Sequence, residues 1–204
     1  MKKAIEISTR KKDAHKITAK VLKNGGIAII PTETVYGFAA SAFNTSAMER
    51  IYEVKGRDYK KPLIIMAANI EALKILVNIS DKVLKIASHF WPGQLTLILP
   101  TTEIGKILSG GKSNLGVRIP NSNFMLSFLR EIKIPIWTTS ANISGRESIK
   151  DASEIYNFET NVDIVVNGGK CKFSFESTVV DMVAYPYTII RKGCLDTGKI
   201  LKFL

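Results

Sequence analysis

Four cations, Lys55, Arg57, Lys60 and Lys61, crowd the short stretch "VKGRDYKK". Cations this close repel one another, and an anion that neutralises them explains their grouping. The planar fork of arginine and the point charge of lysine together suit a polyphosphate. A solvated basic loop is the competing reading, and it accounts for such clusters about half the time. Three further stretches tip the balance: "PTET" at 31–34, "TTSANISG" at 138–145 and "FESTVVD" at 175–181 each set hydroxyls and amides beside an apolar run. Arg118 and Arg191 project from strand-like sequences of their own. Any one of these could be a capped turn, but together they imply a concave, polar, cation-lined site on one domain.

Other chemistries are excluded by spacing. Gly111-Lys112-Ser113 looks like the end of a phosphate-binding P-loop, but the glycine required five positions before Gly111 is Lys106. Cys171 and Cys194 are the only cysteines, and His15 and His89 stand far from them, so no zinc-ligand pattern exists and no metal site is expected. The N-terminal "MKKAIEISTRKK" is charged with no apolar core behind it, and no run approaches the roughly 18 apolar residues that span a bilayer. The chain therefore reads as cytoplasmic, with reduced thiols and no membrane partner.

At 204 residues, 46% hydrophobic and 23% charged, the chain suits one conventional globular domain. A net charge of +11 favours an anionic substrate or a polyanionic partner. Lysines such as Lys74, Lys82, Lys85, Lys133 and Lys199 are scattered singly, which fits a solvated surface better than one nucleic-acid stripe.

The elements that must carry these residues follow from periodicity. Asp13 is placed to cap a helix with Ala14, Ile17 and Val21 inward, stopped by Gly25-Gly26 and followed by a strand Ile27–Ile30. Ser46 and Glu49 form a capping box for a second helix with Ile51 and Tyr52 inward, ending near Gly56, and "PLIIMA" reads as a buried strand. Asn69 and Ser80 cap two more helical segments, the second halted at Trp91-Pro92-Gly93. "QLTLILP" alternates as a strand. In "LGVRIP", Leu115, Val117 and Ile119 share one face and throw Arg118 onto the other. Ser122–Arg130 reads as a helix burying Phe124, Phe128 and Leu129, "IPIWTTSAN" turns from strand to polar run, and Asp151 with Glu154 boxes another helix. "VDIVVN", "STVVDM" and "YTIIRKG" complete the strands, the last two joined by a turn at Ala184 to Pro186. Alternation early and clustered strands late predict one α/β domain with a mixed sheet.

In order along the chain, "PTETVYG", "KGR" followed by "KPL", "WPGQLTLIL", "VRIP", "TSANISG", "ESTVVD" and "IIRKG" resemble the YrdC-like family of threonylcarbamoyl-AMP synthases. The resemblance covers nearly the whole chain. It implies an α/β fold with a twisted mixed sheet and a large open basic cavity, in a single domain spanning 1–204 without the extra C-terminal domain of longer members. It also implies the reaction: L-threonine, bicarbonate or carbon dioxide, and ATP give threonylcarbamoyl-AMP and pyrophosphate, a nucleotidyl transfer that feeds threonylcarbamoyladenosine formation in tRNA. Carried over by position, Thr34, Arg118, Thr138 and Ser177 would surround threonine. Lys55, Arg57, Lys61, Asn114, Ser140, Asn142, Ser148 and Arg191 would surround ATP, with Lys55, Arg57 and Arg118 stabilising the reacting charges.

The same resemblance implies magnesium brought in with ATP, no tightly bound organic cofactor, and a separate tRNA threonylcarbamoyl transferase complex that receives the product. Two positions depart from the family pattern: Met66 stands where several members carry histidine, and Lys61 where many carry asparagine. The alternative reading is an RNA-binding module of the same fold, contacting tRNA or other RNA through its positive charge. Against it, the chain has no RNP-type aromatic motif and only 8% aromatic residues.

Overall fold

The computed structural model describes residues 3–158 and 161–204. Among these residues ten strands form one mixed sheet in the order β1-β8-β2-β3-β7-β4-β6-β5-β9-β10. They are β1 (Ile5–Ser8), β2 (Ala28–Ile30), β3 (Gly37–Ser41), β4 (Ile64–Met66), β5 (Leu95–Pro100), β6 (Asn114–Arg118), β7 (Ile136–Ser140), β8 (Ile164–Asn167), β9 (Thr178–Asp181) and β10 (Thr188–Arg191). β8 runs parallel to both β1 and β2, while β3 pairs antiparallel with β2 and β7. β4 joins β7 antiparallel to β6 parallel, and β5 joins β6 to β9.

Strand periodicity distributes the core on two faces. Ala28, Ile30, Met66, Ile136, Ile164 and Val166 pack with Ala14, Ala19 and Leu22 of helix α1 (Ala14–Lys23) and with Met125, Phe128, Leu129 and Ile132 of helix α6 (Asn123–Ile132). The intervening Ile29, Ile65, Trp137 and Val165 face the other way. They share a core with Ile51 and Tyr52 of α2 (Thr45–Lys55), Leu73 of α3 (Ile70–Lys74) and Val83, Ile86 and Ala87 of α4 (Asp81–Phe90). Two further short α-helices are α5 (Glu103–Leu108) and α7 (Thr197–Leu201).

Several local expectations are corrected. Asp13 sits at the N-cap of α1 but makes no side-chain capping bond; Ala14, Thr18, Ala19 and Leu22 are fully buried, and Ile17 and Val21, partly buried, pack against the same core. α2 is capped by Asn44, whose side chain accepts from the Ala47 amide, so Ser46 lies inside the helix. Its far end is closed as expected by Gly56 in the left-handed region. Asp151 accepts from the Ser153 amide, but a 3₁₀ helix (Ala152–Phe158) follows instead of an α-helix. Phe124 is only partly buried on α6. β3 was not foreseen, because "GFAAS" lacks a polar-apolar alternation: it is buried on both faces between β2 and β7. Of the charged N-terminal stretch, Met1 and Lys2 lie outside the described residues, while Ile5–Ser8 forms β1. No helix among the described residues is long and apolar enough to cross a membrane.

Candidate active site

The register of the central strands sets the floor of the site. Gly37 pairs with Ser140, Ala39 with Thr138, Ile64 with Thr138 and with Gly116, and Met66 with Arg118. Pairing partners point the same way, so Gly37, Thr138, Ser140, Ile64, Met66 and Arg118 share one face. It is the face that α1 and α6 cover elsewhere, and here it is left open as a cavity of about 240 Å³. Gly37 keeps the floor clear, because a Cβ there would lie 3.0 Å from the Thr138 hydroxyl and 3.1 Å from the Thr139 carbonyl.

The segment between β2 and β3 forms one wall. The Thr32 hydroxyl accepts from the Thr34 and Val35 amides and donates to the Val35 carbonyl, which closes a tight turn. Glu33 and Thr34 are then presented to Arg118. The guanidinium is 2% exposed and held at three points: Nε donates to the Gly93 carbonyl (2.9 Å), Nη1 to Thr34 Oγ1 (3.1 Å) and Nη2 to Glu33 Oε1 (2.6 Å). Glu33 Oε1 also accepts from the Asn121 amide (2.9 Å). Among the described residues one N–H on each terminal nitrogen of Arg118 has no acceptor, which leaves two donors for an anion. The Tyr36 phenol, pushed up to about 12 by burial, ties the same wall to the 168–169 turn: it donates to the Gly169 carbonyl and accepts from the Gly168 amide.

The basic cluster divides. Lys55 is the last residue of α2 and is buried. Its ammonium donates to the Ser140 carbonyl (2.6 Å), the Asn142 carbonyl (3.2 Å) and the Asn142 side-chain oxygen. Burial, reinforced by the Arg57 charge, pushes it down to about 8. Arg57 lines the cavity and is steadied by the Lys61 and Pro62 carbonyls. Lys60 and Lys61 point into solvent and do not line it. On the far side, Arg191 donates to Glu176 Oε2 (2.5 Å), the Ser177 carbonyl (3.0 Å) and Ser177 Oγ (3.1 Å). Burial works against the Glu176 carboxylate, but Arg191, hydrogen bonds from Ser148 and Ser140, and Lys55 outweigh it and hold the group below the usual carboxylate value.

Nine of the twelve residues singled out in the sequence line this one cavity: Thr34, Lys55, Arg57, Arg118, Thr138, Ser140, Asn142, Ser177 and Arg191. Ser148 stands behind the lining, donating to Glu176 Oε1 (2.8 Å). Asn114 opens β6 opposite Pro100, two residues before Gly116, the partner of Ile64, and is outside the lining, as is Lys61. Sequence reasoning missed the two carboxylates. Two of the three polar stretches supply them, and each pairs with a strand arginine: Glu33 with Arg118, and Glu176 with Arg191. The signal was present, since an arginine lodged among apolar strand residues needs a counter-charge. Met66 is buried and lines the floor.

The family model described as "Telomere recombination" (Sua5/YciO/YrdC) matches residues 20–193. The chain belongs to the Sua5/YciO/YrdC family. It is 36% identical over 192 residues to the threonylcarbamoyl-AMP synthase of Pyrococcus abyssi, covering 93% of this chain and 56% of that protein. A putative threonylcarbamoyl-AMP synthase of Methanocaldococcus jannaschii is also 36% identical, over 90% of this chain and 87% of that one. The crystal structure of Pyrococcus abyssi Sua5 complexed with L-threonine superposes with a TM-score of 0.92 at 35% identity, over 98% of this chain and 60% of that one. The chain thus spans a little over half the length of the Pyrococcus abyssi relative.

Proposed function

We propose that this chain is a threonylcarbamoyl-AMP synthase. The observation that carries the reading is the convergence, in one cavity, of Arg118 with Thr34, Thr138 and Ser177, and of Lys55 and Arg57 with Ser140, Asn142 and Arg191. Threonine condenses with bicarbonate or carbon dioxide to N-carboxythreonine. A carbamate oxygen then attacks the α-phosphorus of ATP, a P–O bond forms, and the bond to pyrophosphate breaks in line. No protein nucleophile is needed, so the residues act by positioning the reactants and neutralising charge as it develops on oxygen.

In this reading the free N–H pair of Arg118 receives the amino-acid carboxylate or the forming carbamate, beside the hydroxyls of Thr34, Thr138 and Ser177. Arg57 and Arg191 take phosphate oxygens. Lys55 braces the 140–142 turn and contributes its charge from behind it. Magnesium enters with the nucleotide: Glu176 is the only carboxylate that lines the cavity among the described residues, and it is already engaged by Arg191 and Ser148. The product then passes to a separate tRNA threonylcarbamoyl transferase. Threonine- and bicarbonate-dependent release of pyrophosphate from magnesium-ATP tests the reading, and folded protein that releases none would overturn it. Ser177→Ala, which removes a hydroxyl joined to Thr96 and Arg191, is expected to raise the threonine requirement and leave ATP affinity unchanged.

A further inference from the structure

A second cavity, of about 540 Å³, lies on the opposite side of the Thr32-Glu33 turn, and Thr32 lines both. Its volume falls within the roughly 300–1,000 Å³ typical of ligand sites. Five lysines and arginines line it, Arg10, Lys11, Lys12, Lys170 and Lys172, with His15 beside them. None of the five forms an ion pair among the described residues, although Lys170 lies near Asp151 and the Lys172 ammonium sits 5.3 Å from the Phe173 ring. Helices α1 and α6, each ten residues long, both begin at this cavity, through Ala14 and His15 and through Ser122, Asn123 and Phe124. Two positive helix ends and five unpaired cations make a strong field for an anion.

The wall of the cavity narrows the choice. Glu33 is 5% exposed and lines the cavity, and its Oε2 has no hydrogen-bond partner among the described residues. A buried carboxylate oxygen left unpaired is costly, and it repels a bare phosphate. A ligand that satisfies both features carries its phosphate at the cationic rim and an N–H donor further in. Nucleotides have this construction, and the half-buried Phe124 offers a face for a base to stack on. We propose that this cavity is a second nucleotide-binding site, separate from the proposed catalytic cavity, with phosphate held by Lys11, Lys12 and Lys170 and a base N–H facing Glu33. The nucleotide is either free or part of a single strand of nucleic acid.

The test is calorimetric titration of the full chain with AMP, with a short single-stranded oligoadenylate and with ribose 5-phosphate. Arg57→Ala is the background that weakens the proposed catalytic cavity. Binding of a nucleotide probe is expected to survive there and to weaken about tenfold or more in Lys11→Glu/Lys12→Glu/Lys170→Glu, with pyrophosphate release from the charge-reversed chain within about twofold of the parent. AMP binding identifies free nucleotide as a ligand, and binding of the oligonucleotide alone identifies a strand. Ribose 5-phosphate, which lacks the base, should bind at least several-fold more weakly than AMP; equal affinity overturns the base contact. Loss of all probe binding in Arg57→Ala overturns the second site. So does an equal loss when Lys82, Lys85 and Lys199, which do not line the cavity, are reversed in the same number. Lys11→Gln/Lys12→Gln/Lys170→Gln gives the same comparison should charge reversal unfold the chain.

Discussion

In the first cavity the cations Lys55, Arg118 and Arg191 are each fastened by two or more acceptors, and two of them are buried. In the second, across the Thr32-Glu33 turn, Arg10, Lys11, Lys12, Lys170 and Lys172 extend into solvent without ion pairs among the described residues. Fastened cations resist reorganisation, which is what a reacting site requires. Loose ones can follow a ligand whose shape varies, at an entropic cost for each side chain ordered. Net charge alone would not separate these two designs; the partners of each nitrogen do.

The difference can be broken most severely at its fixed end. Arg118→Ala leaves the Glu33 carboxylate buried beside an emptied space and should cost about 3–5 kcal/mol. For a chain of this size that lowers Tm by roughly 6–20 °C, and differential scanning calorimetry measures it. A change below about 2 °C would show that the pair is not the brace described. Arg57→Ala removes a cation that no core depends on, so pyrophosphate release should fall by about 100-fold or more while Tm moves little.

The third test uses pH. Burial lowers Lys55 from its ordinary 10.5 to about 8, so its charge is present below pH 8 and lost as pH rises through that value. Pyrophosphate affinity measured across this range should therefore fall above pH 8, and Lys55→Met should flatten the profile. The stability effect runs the other way. Between pH 8 and 10.5 the unfolded chain binds the extra proton, so stability gains with pH over that window. The smallest effect belongs to the loose region: neutralising Lys11 and Lys12 should change Tm by less than about 1 °C and turnover by less than about twofold, because exposed unpaired charges contribute little to either.

What was legible in the sequence is what depends on periodicity and on local punctuation. The alternation in "LGVRIP" placed Arg118 opposite Leu115 and Val117, and Asn69 and Ser80 cap the helices expected of them. The cavity was legible as a recurrence of polar stretches at strand ends, without their mutual geometry. The Arg118–Glu33 pair escaped because it joins positions 85 residues apart, and nothing local marks Glu33 as more than part of a turn. Lys61 and Asn114 show the reverse. The family resemblance placed both beside ATP, but Lys61 turns to solvent, and Asn114 lies at the start of β6, with Arg118 at the other end.

The strand order has a kinetic consequence. The cavity draws on Thr34 near one end of the chain and Arg191 near the other, and β8, the partner of both β1 and β2, is formed by residues 164–167. Contacts of such long range close late, after the entropy of large loops has been lost. Refolding should therefore be slow, with binding competence appearing after most helical signal has returned. A chain emerging during synthesis would remain without a working site until its last strand had docked.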